Sequence, residues 1–161
     1  MKHTGSSENR IAISDLVHDY ADAVVRRDAD QWAGTWASDA VWELGKGRRV
    51  EGRDAILELW NNAMDGFKAV VQNVVNNVAD LDDDAGSGTG RCYIQENWWR
   101  ADDSKGILLA YYDDAYTRVD GEWLFASREL TVQYGGPPDL SAPFQNAVTA
   151  SLDDTTEKAE A

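Results

Sequence analysis

Cysteine is almost absent from these 161 residues: Cys92 stands alone. No internal disulfide can form, and nothing has the spacing of a thiolate metal site. A fold without cross-links suits a reducing compartment, so the cytoplasm is the expected location. No apolar stretch approaches the roughly 20 residues that span a bilayer, and the opening MKHTGSSENR lacks the apolar run of a signal peptide. Positive charge is scarce. Fifteen Lys and Arg are scattered among 29 Asp and Glu, for a formal net charge of −14. A nucleic-acid binder needs a basic stripe to neutralise phosphates, so neither nucleic acid nor an anionic membrane is an expected partner. P-loop, GxGxxG, GxSxG and HExxH signatures are all missing. The run Asp82–Asp84 lacks EF-hand spacing and reads as a solvated turn. No metal and no cofactor is expected.

What the chain has is aromatic mass: seven Trp, six Tyr and three Phe, enough to build a core or line a pocket. Its length suits one domain with a continuous core. Over residues 8–27, Ile11, Ile13, Leu16, Val17, Tyr20, Val24 and Val25 recur at three- and four-residue spacing, which predicts a helix. Ser6 and Ser7 are its possible caps. Asp28 caps a short second helix with Trp32 and Trp36 on one face. Residues 39–44 read as a strand and Gly45–Arg49 as a turn. A third helix opens at Glu51–Asp54 and runs to Gly66. Four β-rich segments follow, at 69–81, 89–100, 107–118 and 122–134. Asp120-Gly121 between the last two is a strong hairpin signal.

Helices followed by a four-strand meander imply an α+β domain whose curved antiparallel sheet buries one face against the helices. Such a sheet can leave a cavity at its wide end. Residues 1–7 are expected to be a flexible N-terminus, 8–145 the domain, and 146–161 an acidic, disordered tail.

Two stretches resemble a known family. DLVHDYADAVVRRDADQWAGTWASDAVWEL is similar to the first two helices and first strand of the SnoaL-like family, within the nuclear-transport-factor-two-like superfamily. YYDDAYTRVDGEWLFASREL is similar to its last hairpin, down to the W-x-F-x-x-R ending of Trp123, Phe125 and Arg128. The resemblance implies a cystatin-like, cone-shaped α+β barrel, with the sheet wrapped around three N-terminal helices. It also implies cofactor-independent proton transfer, of lyase or isomerase type, on a small hydrophobic, cyclic molecule. Members include dehydrochlorinases, dehydratases, polyketide cyclases and, as cousins, ketosteroid isomerases. The His–Asp dyad of the dehydrochlorinase and of bile acid 7α-dehydratase falls here on Val25 and on Asn73, or on Gln72 if the register slips by one. This chain therefore lacks the dyad. Tyr20, Glu96 and Arg128 match or fall near other functional positions of those enzymes. The resemblance implies a homo-oligomer, dimer or trimer, through the outer face of the sheet, where Trp99 or Tyr111 can supply contacts.

Read as residues, Glu96 is the candidate acid or base. Strand alternation puts it with Cys92, Ile94 and Trp98. If that face looks inward, desolvation raises its pKa and suits it to moving protons near neutral pH. If the faces are reversed, it is a surface glutamate. Arg128 can pair with Glu96, hold a developing anion, or form a salt bridge that merely fixes the sheet. Tyr20 can donate to a substrate carbonyl or be a core tyrosine, and Asn73 can orient a carbonyl but cannot act as a base. Val25, Trp42, Trp60, Leu108, Tyr112 and Leu130, with Cys92, Ile94 and Trp98, are the candidate pocket wall; buried core is the alternative for each. A non-catalytic binding protein that kept the cone and lost the dyad is the other functional reading.

Overall fold

A computed structural model describes residues 2–145; the expected acidic tail lies outside them. Helix α1 spans Ser7–Arg26, with the Ser6 hydroxyl accepting from the Asn9 N–H and Arg27 in the left-handed region as its C-cap. It buries Ile13, Leu16, Val17, Tyr20, Ala23 and Val24. Ile11 and Val25 fall off that stripe, at 61% and 41% exposure. One residue is a rotation of about 100° on a helix, so burying Val24 turns Val25 away from the core and toward solvent.

Helix α2 covers Ala29–Gly34 from its Asp28 cap. It ends before Trp36, which begins strand β1 (Trp36–Glu43) instead of completing the helix. Trp32 and Trp36 are nevertheless both fully buried. After the expected turn comes a short strand β2 (Arg49–Glu51), which takes Glu51 from the expected helix start, and α3 follows at Arg53–Met64. The meander is β3 (Phe67–Asp82), β4 (Ser87–Arg100), β5 (Lys105–Val119) and β6 (Glu122–Gly136). Asp120 and Gly121 both have positive φ, 52° and 91°, between the paired residues Val119 and Glu122. This is the two-residue turn whose twist matches the flanking strands.

The sheet has six strands, the expected β1 and the meander joined by the short β2, in the order β2-β1-β6-β5-β4-β3. β1 lies parallel to β6, while the other pairings are antiparallel. It is an open sheet, since β2 and β3 are its edges, and the helices cover one face: α1 packs on β3 and β6, and α3 on β1 and β2. The α+β class is as expected. Residues 2–6, expected to be free, are hydrogen-bonded to the end of β3: the Lys2 amide donates to Asp80 (2.5 Å) and that of Ser6 to Asp83 (2.6 Å). No described helix is long and apolar enough to cross a membrane.

Two bulges decide which side chains meet the core. In β3 the register shifts between Val74 and Asn76, leaving Val75 at 64% exposure. Ahead of that shift Val70 and Gln72 face inward, and Asn73 is exposed on the outer face. In β6 a shift around Ala126 places Phe125, not Ala126, on the face shared with Arg128. A bulge inserts one residue and flips every parity beyond it.

Candidate functional site

At one end of the sheet, β3, β4, β5 and the last residues of β6 enclose a recess of about 350 Å³. Phe67, Trp98 and Leu108 are its apolar walls, Gly135 and Gly136 its bare edge, and Glu96 and Arg100 its charged groups. β4 therefore turns Glu96 inward with Cys92 and Ile94. Directly across the ladder, Gln72 donates its amide to Glu96 Oε2 at 3.1 Å. Burial pushes the Glu96 carboxyl above its ordinary value, opposed by the Gln72 hydrogen bond and the Arg100 charge.

A carboxyl whose pKa is higher folded than unfolded makes the native state bind the extra proton. Its contribution to stability is then greatest in acid and is lost as pH rises through the window from the unfolded to the folded pKa. Glu96→Gln should therefore raise the melting temperature at neutral pH. The gain should shrink as pH falls below the carboxylate range, read by thermal melts across pH.

The Trp98 wall depends on Gly106 across the β4–β5 ladder. A Cβ at Gly106 would lie 2.1 Å from Trp98 Cζ2 and 2.7 Å from the Gly136 carbonyl oxygen. Only a residue with no Cβ lets the indole lie flat there. Gly106→Ala should displace Trp98 and cost about 1–3 kcal/mol, as overpacking does. Denaturant unfolding checks this, with a change in indole fluorescence as the local signature.

Behind the recess the interior is full. Arg128, 1% exposed, forms two hydrogen bonds with Asp114, from Nε to Oδ1 at 2.8 Å and from Nη2 to Oδ2 at 3.1 Å. The Tyr116 hydroxyl donates to Asp114 Oδ2 at 3.2 Å. Tyr112, Phe125 and Tyr20 hold their ring centroids 4.0, 4.0 and 4.4 Å from the guanidinium carbon. Arg128 thus pairs with Asp114 rather than with Glu96, and the pair fixes β5 to β6. A guanidinium this desolvated requires a counter-charge of its own, and the residue opposite it in the ladder supplies one.

Tyr20, 2% exposed, belongs to the same cluster, and burial pushes its hydroxyl and that of Tyr112 above the ordinary phenol range. Both are buried in the core and neither lines the recess. Burial also lifts the Cys92 thiol to about 11, which keeps it protonated and unreactive.

Of the residues singled out from sequence, the fold gathers Glu96, Trp98 and Leu108 in the recess. Trp60 stacks on Trp32 at 4.8 Å and 15°, and Trp42 packs 5.5 Å from the same ring. Both belong to the core, as do Ile94, Cys92 and Tyr112. These rings fill the space a deeper cavity would need. Leu130 packs against the core and borders a different groove, beside Leu44 and Arg48. Asn73 points outward, and the slipped-register alternative, Gln72, is the inward residue. Phe67, Arg100 and the glycines escaped the sequence reading. The signal for Gly106 is weak, a glycine at the start of a strand; that for Asp114 was its parity with Tyr112.

A family model described as the SnoaL-like domain matches residues 5–129. The chain is 28% identical over 131 residues to gamma-hexachlorocyclohexane dehydrochlorinase from Sphingobium indicum, across 80% of this chain and 83% of that protein. Its fold is similar to the crystal structure of a type 2 hexachlorocyclohexane dehydrochlorinase, with TM-score 0.75, 23% identity, and 81% and 88% of the two chains covered. A putative scytalone dehydratase from Novosphingobium aromaticivorans gives TM-score 0.76 at 20% identity, covering 89% and 95%. The helices, the meander and the matched residues 5–129 agree: this chain belongs to the SnoaL-like domain family.

Proposed function

We propose that the protein is a cofactor-independent lyase or isomerase that moves a proton on a small hydrophobic ring compound in the recess, with Glu96 as the group that moves it. The observation that carries this reading is a desolvated carboxyl, held by one amide donor, in an apolar recess of single-ring size. The base is thus a glutamate on β4 in place of a histidine on β3. Elimination of the kind named for the dehydrochlorinase relative would proceed with Glu96 ionised. The carboxylate takes a ring C–H proton, that electron pair forms the C=C bond, and chloride leaves. In an isomerisation the same carboxyl returns the proton to another carbon.

Purified protein would be incubated with γ-hexachlorocyclohexane, following chloride release. In parallel it would be given cyclohexanone in D₂O, following deuterium uptake by mass spectrometry. Glu96→Gln should lower whichever rate is found by about 10²–10⁴-fold, the usual worth of a positioned acid or base. Unchanged turnover in that variant sinks the mechanism. A second reading, a binding protein without chemistry, draws support from Val25 and Asn73, both exposed at the dyad positions. It gains if a ring compound binds and is returned intact.

A further inference from the structure

We propose that the ring compound taken by the recess carries a carboxylate, and that Arg100 at the rim recognises it. This rests on the recess being the working site, though not on proton transfer there.

Arg100 ends β4, two residues after Trp98 and on the same side of the strand. Its guanidinium carbon lies 4.4 Å from the Trp98 ring centroid and 5.8 Å from that of Phe67. The two rings that wall the recess therefore also hold the cation at its mouth. Two neighbouring cations are matched to acids, Lys68 to Asp103 at 2.5 Å and Arg91 to Asp113 at 2.7 and 2.9 Å. Among the described residues, no carboxylate lies within 4.0 Å of the Arg100 guanidinium. Glu96 feels its charge without pairing with it, being held by Gln72.

A guanidinium resting on an aromatic face keeps the donors of its planar fork available, and that fork matches a carboxylate in two parallel hydrogen bonds. Apart from Glu96, the rest of the recess wall is apolar, which suits a ring. At the rim an ammonium group is disfavoured, because the aromatic faces there already carry Arg100, whose like charge repels it. The bound pose follows: ring between Phe67, Trp98 and Leu108, anionic group at the rim, ring edge toward Glu96.

Calorimetric titration of the full chain at neutral pH tests this with benzoate and cyclohexanecarboxylate against their neutral amides. The acids should bind at least about tenfold tighter than the amides, a difference that added salt reduces. Arg100→Met keeps an apolar stem over the rings and should abolish that preference while leaving the amides unchanged; Arg100→Lys should restore part of it. The proposal fails if the amides match the acids, if Arg100→Met leaves the ratio unaltered, or if none of the four binds saturably. The two readings fail separately. Arg100-dependent binding of acids with no turnover leaves this inference standing and removes the reaction. Glu96-dependent turnover of neutral rings that Arg100→Met does not affect does the reverse.

Discussion

Asp114→Asn is expected to be among the most damaging single changes in this protein, costing about 3–5 kcal/mol of stability. The wild-type pair is sealed, with Arg128 1% and Asp114 4% exposed. Asn keeps the shape and one acceptor but removes the charge. Arg128 would then be a buried guanidinium among Tyr20, Tyr112 and Phe125 without its paired carboxylate. The rings cannot substitute, since they carry no opposite charge and their attraction for the cation, about 2 kcal/mol or more when desolvated, is already present in the wild type. A loss of this size lowers the urea midpoint and shifts the melting temperature by on the order of 10 °C in a domain this long. The double change Asp114→Leu with Arg128→Met should recover much of the loss, because it removes both charges together. Equal instability of the single and double variants would mean that packing volume, not the unpaired charge, sets the cost.

Trp32→Ala should cost a similar amount, about 3–5 kcal/mol, through a different term. Trp32 is fully buried on a helix of only six residues. It touches aromatic rings from every layer: Tyr20 of α1 at 5.3 Å, Trp36 and Trp42 of β1 at 5.5 Å, and Trp60 of α3 at 4.8 Å. Those neighbours are rigid rings that cannot collapse into the space, so the variant forfeits both transfer energy and contacts. Urea unfolding reads the loss, and Trp32→Phe should return a large part of it. A Trp32→Ala loss below about 1 kcal/mol would show that the cluster can repack.

Much of this was legible in the residues. The stripe from Ile13 to Val24, the caps at Ser6 and Asp28, and the Asp120-Gly121 turn follow from local rules, and each is seen in the structure. Strand parity correctly grouped Cys92, Ile94, Glu96 and Trp98 because β4 carries no bulge against β5. The same rule does not carry through β3 and β6, whose registers shift at Val75 and Ala126. No local signal announces a bulge, since the extra residue is accommodated by the partner strand. The parallel pairing of β1 with β6 was also hidden. It joins segments far apart in the chain, and neither carries a mark of the other.

Taken alone, then, the sequence determined an acidic α+β domain rich in aromatic residues and placed Glu96 on one strand face with Cys92, Ile94 and Trp98, because periodicity follows from the chain's own pattern; which way that face looks came from the fold. Tertiary structure decided the rest. Across β5 and β6 it matched Arg128 with Asp114, since a buried charge takes the opposite charge in reach. It spent most of the aromatic rings on packing one another. And it left Glu96 and Arg100 at the end of the sheet where those rings run out.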